Sequence, residues 1–434
     1  VVAALHDLEA EGWLVSEPNR GTFVAGRPPS APLKGEGPHA GEPAGNPSPN
    51  FDIPSRLSPL SVQDPEALVL SDGLPDPGLF PAAELAKAYQ RALQRHSREL
   101  LQYGEPMGNS LLRAALADWL RERRALPVSP DQILITRGSR MALTLLSLGL
   151  LREGAVVAVE NPGNRQAWET ILQCTKVQLR PLPVDQEGLI VEALEELLER
   201  EPVAALYVTP QRQYPTAARL SQERRKRLLE LAAAHRIAVI EEDQESEYAF
   251  ESTSEAALAS LDTTGQVIHM ASLSRLMAPG LRLGFLVAPR DLVDRLARLQ
   301  RSLEWQGDRV LEWAVADLIR DGILARHLRK ARKIYQERRD CLVELLAPHR
   351  RDRLQFEVPT GGLALWVRAA EKVDLGAWIQ AARPLGLVLH DPSHFEFQGA
   401  GLGTRIGFAQ VDESRLREAV RRLDLAWERR TAKG

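Results

Sequence analysis

Ala271-Ser-Leu-Ser-Arg-Leu-Met-Ala-Pro-Gly-Leu-Arg-Leu-Gly-Phe285 follows directly on the apolar run Val267-Ile-His-Met270. A short apolar run opening into hydroxyls and a Pro-Gly pair reads as a strand that ends in a loop. Ser272 supplies a hydroxyl and Arg282 a bidentate cation, both suited to an anion. Arg275 stands between them. Its guanidinium stays protonated at any accessible pH and its delocalised nitrogens are poor nucleophiles, whereas a lysine amine can be tuned to lose its proton.

Around this loop the chain alternates strand-like and helix-like segments. Ile133-Leu-Ile-Thr136, Val156-Val-Ala-Val-Glu160, Ala205-Leu-Tyr-Val208 and Ile237-Ala-Val-Ile-Glu241 are short apolar runs. Helical spacing recurs over 84–99, 110–124, 140–152, 190–200, 221–235, 291–304 and, with breaks, 309–349. That alternation predicts an α/β domain with a mostly parallel sheet covered on both faces. Gly361-Gly-Leu-Ala-Leu-Trp-Val367, Thr404-Arg-Ile-Gly-Phe-Ala409 and a final amphipathic helix over 412–428 read as a smaller α+β part. The α/β region is expected over 64–434, with a large domain to about 305 and a long connecting helix and small domain over 306–434. Ligands of open α/β sheets lie beyond the carboxyl ends of the strands, and most of this chain's motifs sit just after one.

At 434 residues the chain calls for two or three domains. No apolar run approaches the roughly 20 residues that span a bilayer, and no basic segment leads an apolar core at the start, so a cytoplasmic protein without membrane attachment is expected. Cys174 and Cys341 lie far apart without metal-ligand spacing, which fits two free thiols. The net charge of −3 neither demands nor excludes a nucleic-acid partner. None of the eight lysines falls in a loop like 271–285. Residues 27–63 carry proline and glycine at a density that sustains neither helix nor ladder, and are expected to be an extended linker. Before it, Val2, Leu5 and Leu8 have helical spacing, Gly12 ends the segment, and two apolar runs flank a turn at Ser16-Glu-Pro-Asn-Arg-Gly21.

Three further motifs favour an anion. Gly138-Ser139-Arg140-Met141 follows a strand and opens a helix, whose N-terminal N–H groups are a ready anion site, although a plain turn would look the same. Pro279-Gly-Leu-Arg282 adds a cation. Tyr103-Gly-Glu-Pro-Met-Gly108 adds a Tyr-Gly-x-Pro-x-Gly loop.

Together these blocks resemble fold-type I pyridoxal-phosphate (PLP) enzymes, and in order and spacing the MocR branch of GntR-type regulators. The matching blocks include Glu160-Asn-Pro-Gly163, Thr209-Pro-x-x-Gln213-Tyr-Pro-Thr216, Glu241-Glu-Asp-x-x-Ser-Glu247, Gly361-Gly-Leu and Arg405-Ile-Gly-Phe408. Residues 1–26 resemble the last recognition helix and wing of a winged helix-turn-helix, through Ala4-Leu5, Leu8, Gly12 and Gly21-Thr-Phe-Val24. The resemblance implies a regulator with a fold-type I aminotransferase-like domain, PLP as cofactor, and a homodimer in which Tyr103 reaches the neighbouring subunit's phosphate. It places Ser139, Arg140, Ser272 and Arg282 on the phosphate, Glu242 at the pyridinium nitrogen with Asp243 as the fallback, Gln244 and Asn164 beside the ring, and Arg405 on a substrate or effector carboxylate. Arg20 at the wing tip is the candidate for the DNA minor groove.

The departures from the family pattern gather where the ring would lie. Arg275 replaces the lysine that forms the imine and shuttles the proton, Glu242 an aspartate, Gln244 a tyrosine and Asn164 another tyrosine. Arg212 adds a cation nearby. The phosphate side and Arg405 are kept. A pocket for a small anionic effector, such as an amino acid or a phosphorylated metabolite, is therefore expected, without covalent capture of PLP; the alternative is an aminotransferase with weak or noncovalent cofactor binding. An Arg275–Glu242 ion pair filling the old ring space is the simplest structural expectation. His390 and His394 have metal-like spacing, but Pro392 between them favours a loop, and no metal is expected. The acidic fragment 1–26 implies weak DNA binding as it stands, because phosphate contacts need positive charge.

Overall fold

The computed structural model describes residues 2–26, 67–250, 256–350, 352–399 and 401–431. The expected linker over 27–63 lies outside the described residues. The chain divides into two units, Val1–Ser58 and Pro59–Gly434.

In the first unit, α1 (Val2–Ala10) is followed by β1 (Leu14–Glu17) and β2 (Gly21–Val24). The two strands pair antiparallel, Leu14 opposite Val24 and Glu17 opposite Gly21. Val2, Leu5, Trp13, Val15, Phe23 and Val24 are exposed. Arg20, at the turn, is exposed and pairs with Glu17.

The second unit runs β3 (Leu68–Val69), α2 (Ala82–Leu100), α3 (Ser110–Arg124), β4 (Ile133–Thr136), α4 (Ser139–Leu150), β5 (Val156–Asn161), α5 (Arg165–Cys174), β6 (Gln178–Asp185), β7 (Gly188–Leu189), α6 (Val191–Arg200), β8 (Ala205–Val208), α7 (Gln222–His235), β9 (Ala238–Asp243), β10 (Val267–Ser272), the short α8 (Leu273–Leu276) and β11 (Gly284–Val287). Then come α9 (Arg290–Glu304), α10 (Arg309–Arg320), α11 (Ile323–Leu346), β12 (Leu354–Gln355), β13 (Ala364–Ala369), α12 (Leu375–Ala382), β14 (Leu387–Val388), β15 (Gly403–Gly407) and α13 (Glu413–Thr431). Local chemistry sets several starts. Asn109, Asn164, Ser221 and Asp308 cap α3, α5, α7 and α10 by accepting backbone N–H groups. Leu112, Leu116 and Leu120 recur at one helical turn and are buried.

The large sheet has eight strands in the order β4-β11-β10-β9-β8-β5-β6-β7. Its centre is parallel, and β11 runs antiparallel to both neighbours. This is the α/β, fold-type I architecture expected. Three strands of this sheet, β6, the two-residue β7 and β11, come from runs the sequence reading leaves unassigned. In β6, Pro181 and Pro183 mask the strand pattern; β11 begins inside the loop region that follows Arg275.

A smaller antiparallel sheet, β12-β13-β15, lies near the C-terminus, and β14 pairs with β3 across more than 300 residues of chain. One apolar core runs from Leu112, Ile135 and Phe285, through Val315 of α10, to Trp378, Ile406 and Phe408. α10 also packs against α2 and α3, so the core is continuous between the large sheet and the C-terminal part.

Candidate ligand-binding site

The carboxyl ends of β4, β9 and β10 converge on the motif residues. At the end of β4, Gly138 takes φ +79° and caps α4, and a Cβ there would lie 3.3 Å from the Arg282 guanidinium. Arg282 donates from Nη2 to the Arg137 carbonyl at 3.1 Å. A guanidinium thus lies against the start of α4, where Ser139 is the first helical residue. Helix-terminal N–H groups and a cation side by side suit a phosphate or carboxylate. Arg140 turns away to bond Gln166 Oε1 at 2.6 Å. Ser272 is buried at the end of β10, where it lines a small cavity of about 20 Å³ with Gln244, Arg124, Asp243 and His269. Gln244 Oε1 is buried without a hydrogen-bond partner among the described residues. Tyr103 is 79% exposed and its ring packs on Trp305, with centroids 5.0 Å apart.

The expected Arg275–Glu242 pair does not form. Glu242 accepts instead from the Tyr207 hydroxyl, and Asn164 Nδ2 donates to the same hydroxyl at 3.3 Å. Burial, with the Glu242 charge beside it, pushes the Tyr207 phenol well up. Glu242 reaches Tyr207 because successive residues of β8 and β9 lie in parallel register, Tyr207 beside Ile240. One strand nearer the edge, Glu160 accepts from the N–H and hydroxyl of Thr209 at 3.0 and 2.6 Å. Burial raises its carboxyl to about 7.

Arg275 takes Glu245 as its acidic partner, at 3.6 Å, and donates from Nη1 to the Gly73 carbonyl at 3.2 Å. Glu245 in turn accepts from Arg405 Nη2 at 3.0 Å and, through its other oxygen, from the Leu363 N–H at 3.0 Å. Arg405 stacks over the Tyr214 ring, 4.5 Å from its centroid. Arg212 is buried beside Glu245 and Gly361, and a Cβ on Gly361 would lie 2.2 Å from its Nη2. Its Nε and Nη1 have no hydrogen-bond partner among the described residues. Burial lowers the guanidinium to about 10 against the attraction of Glu245.

Five residues of this pocket escape the sequence reading of the site: Glu245, Asp72, Tyr207, Tyr214 and His390. Asp72, in the turn after β3, accepts from His390 Nε2 at 3.1 Å and from the Tyr214 hydroxyl at 3.4 Å. His390 stacks on His394 with centroids 3.9 Å apart and planes 2° from parallel. The expected loop around Pro392 contains a single 3-10 turn, Pro392–Phe395. No cluster of His, Cys, Asp and Glu able to hold a metal occurs among the described residues. Only the Glu241-Glu-Asp-x-x-Ser-Glu247 block hints at Glu245, through its place beside Gln244.

The family model for class I and II aminotransferases matches residues 67–423. The chain belongs to that family. Within the aminotransferase class I and II family it is similar to the probable rhizopine catabolism regulatory protein MocR of Rhizobium meliloti, 30% identical over 98% of this chain and 85% of that protein. It is also 30% identical to the 2-aminoadipate transaminase of Thermus thermophilus, over 84% of this chain and 91% of that one. Among solved structures, the alpha-aminoadipate aminotransferase of Thermus thermophilus, complexed with N-(5'-phosphopyridoxyl)-L-leucine, superposes with a TM-score of 0.79 at 28% identity, covering 85% of this chain and 94% of that one. The family's relatives thus include both regulators and transaminases, and PLP is the cofactor the family leads one to expect.

Proposed function

We propose that this protein is a transcriptional regulator of the MocR type, whose aminotransferase-like domain senses a small anionic ligand without covalent chemistry. The observation that carries the reading is Arg275 in the short helix α8 directly after β10, where the family pattern has the imine-forming lysine. A guanidinium neither adds to an aldehyde nor shuttles a proton at neutral pH. The ring side offers further support. Glu242, the residue for the pyridinium nitrogen, already has one carboxylate oxygen engaged by Tyr207. The residues facing the ring therefore do not fit PLP held as an imine, whereas the Gly138–Arg282 cradle fits a phosphate or carboxylate.

DNA is the partner this reading implies, with α1 and the hairpin tip at Arg20 as the candidate contact, and the cytoplasm is its place of action. A homodimer fits the exposed Tyr103, whose phenol makes no hydrogen bond among the described residues. The domain arrangement is taken as a wing fragment over 1–26, a linker over 27–63 and the sensor over 64–434. The second reading, a transaminase with weak or noncovalent PLP, draws on the kept phosphate cradle and the transaminase relatives. Incubation with PLP, borohydride reduction and mass spectrometry separates the two. The sensor reading expects no stoichiometric adduct at any one lysine and no transamination of amino acids; a stoichiometric adduct at a single lysine of the native chain overturns it.

A further inference from the structure

A cavity of about 520 Å³ lies between the turn into α2 and the first turns of α11. Leu79, Pro81 and Ile323 form its apolar walls, and Arg326, His327 and Lys330 its polar one. That volume suits a small molecule. None of its lining residues is shared with the Gly138–Arg282 cradle or with the pocket of Arg275 and Glu245.

The polar wall is built for an anion. α11 starts after Gly322, which has no side chain to accept from the first N–H groups, so the positive end of a 24-residue helix is left without a side-chain cap. Arg326 folds back over that end. Its Nη1 donates to the Asp321 carbonyl at 3.2 Å and lies 3.4 Å from where a Cβ on Gly322 would stand. Lys330 is exposed one turn further on. His327, between them, is only 5% exposed, and its Nε2 is buried without a hydrogen-bond partner among the described residues. Burial holds the imidazole below its usual pKa and the Lys330 charge adds to this, while the Leu276 and Leu79 carbonyls beside the ring favour the protonated form. The acidic residue of the lining, Glu84, is paired with Lys87 at 3.0 Å. The cavity therefore keeps an excess of positive charge around a buried imidazole that lacks a counter-charge.

We propose that this cavity is a second ligand site, and that it takes a phosphate monoester carrying a small apolar group. The phosphate pairs with Arg326 and Lys330 at the open end of α11 and supplies the negative charge that lets His327 hold a proton. The apolar group lies on Leu79, Pro81 and Ile323. A head with up to two charges and three free oxygens suits two cations and an imidazole better than a carboxylate, which has one charge and two oxygens. The apolar walls favour a small molecule over a DNA backbone, whose phosphates carry no such group. The site does not depend on the sensor reading, because it uses none of that pocket's residues.

The test is isothermal titration of the full chain with phenyl phosphate, inorganic phosphate and benzoate. Arg326→Ala and Lys330→Ala change exposed side chains and leave the core intact. The part of the binding that these variants lose should favour phenyl phosphate over the other two by about tenfold or more. The Gly138–Arg282 cradle also suits phosphate, so a crystal soaked with para-bromophenyl phosphate locates the site, with bromine anomalous signal expected between Leu79 and Ile323. Signal at the cradle alone overturns the proposal without requiring any variant to fold. So does unchanged binding in both variants, a lost part that takes inorganic phosphate as tightly as phenyl phosphate, or variants that weaken binding of duplex DNA alone. Those failures leave the sensor reading standing, since that reading falls only with a stoichiometric PLP adduct or with turnover.

Discussion

Glu245 and Arg405 are joined at 3.0 Å in a pair that solvent scarcely reaches, one from the turn after β9 and the other from β15. The pair ties the large sheet to the small one. Removing one member leaves the other charge buried, so Glu245→Ala should lower stability by roughly 3–5 kcal/mol. Glu245→Gln keeps one carbonyl oxygen to accept from either Arg405 or the Leu363 N–H, though not from both, and should lose less. Urea denaturation of the three proteins checks this, and an unchanged midpoint for Glu245→Ala would show that the pair is not holding the two parts together.

Arg275→Lys restores an amine to the loop but not its surroundings, because Glu242 stays bonded to Tyr207 and Gln244 and Asn164 are unchanged. Reduction with borohydride after incubation with PLP should trap an adduct at position 275 on only part of the variant, above the sparse labelling of other lysines that both proteins share. Complete labelling of the variant would mean that the ring-side departures do not matter.

Gly138 sits at φ +79° with Arg282 at its back. Gly138→Ala should be strained by its backbone conformation and displace the Arg282 guanidinium. Arg282→Gln removes one charge-assisted contact, worth about 1.5–3 kcal/mol. Both should reduce the thermal stabilisation given by inorganic phosphate or PLP, Arg282→Gln with little effect on the ligand-free melting temperature. Equal stabilisation of native and Arg282→Gln proteins would remove Arg282 from the anion cradle.

Glu312, buried in α10, has its carboxyl raised by burial to about 7, although the Asn109 N–H donates to it at 2.6 Å. A carboxyl whose folded pKa is raised binds its proton more tightly in the native state. Its contribution is complete below the unfolded value of 4.5 and is lost as pH climbs through 7. Stability should therefore fall between about pH 4.5 and 7, by up to about 3 kcal/mol from this group. Glu160 adds a fall of the same sign. Glu312→Gln should flatten the pH profile of the unfolding free energy in this window; an unaltered slope would mean that Glu312 is not its source.

The order of strands and helices is readable because apolar runs and helical spacing are local properties of the chain. β4, β8 and α3 match the runs that predict them, and Gly138, Arg282 and Arg275 stand out by motif alone. Pro181 and Pro183 hide β6, since a residue without an N–H reads as a strand breaker until a neighbouring strand is seen beside it.

Which charges meet was decided only by the tertiary structure. The replacement of lysine by Arg275 is a fact of the sequence, and so is the loss of an amine that could hold an aldehyde. That Arg275 faces Glu245 rather than Glu242, that Tyr207 takes Glu242, and that Asp72 comes to His390 from more than 300 positions away all depend on the packing of distant segments. Ion pairs and hydrogen bonds act over a few ångströms in space, and spacing along a chain records that distance only within a single helix or strand.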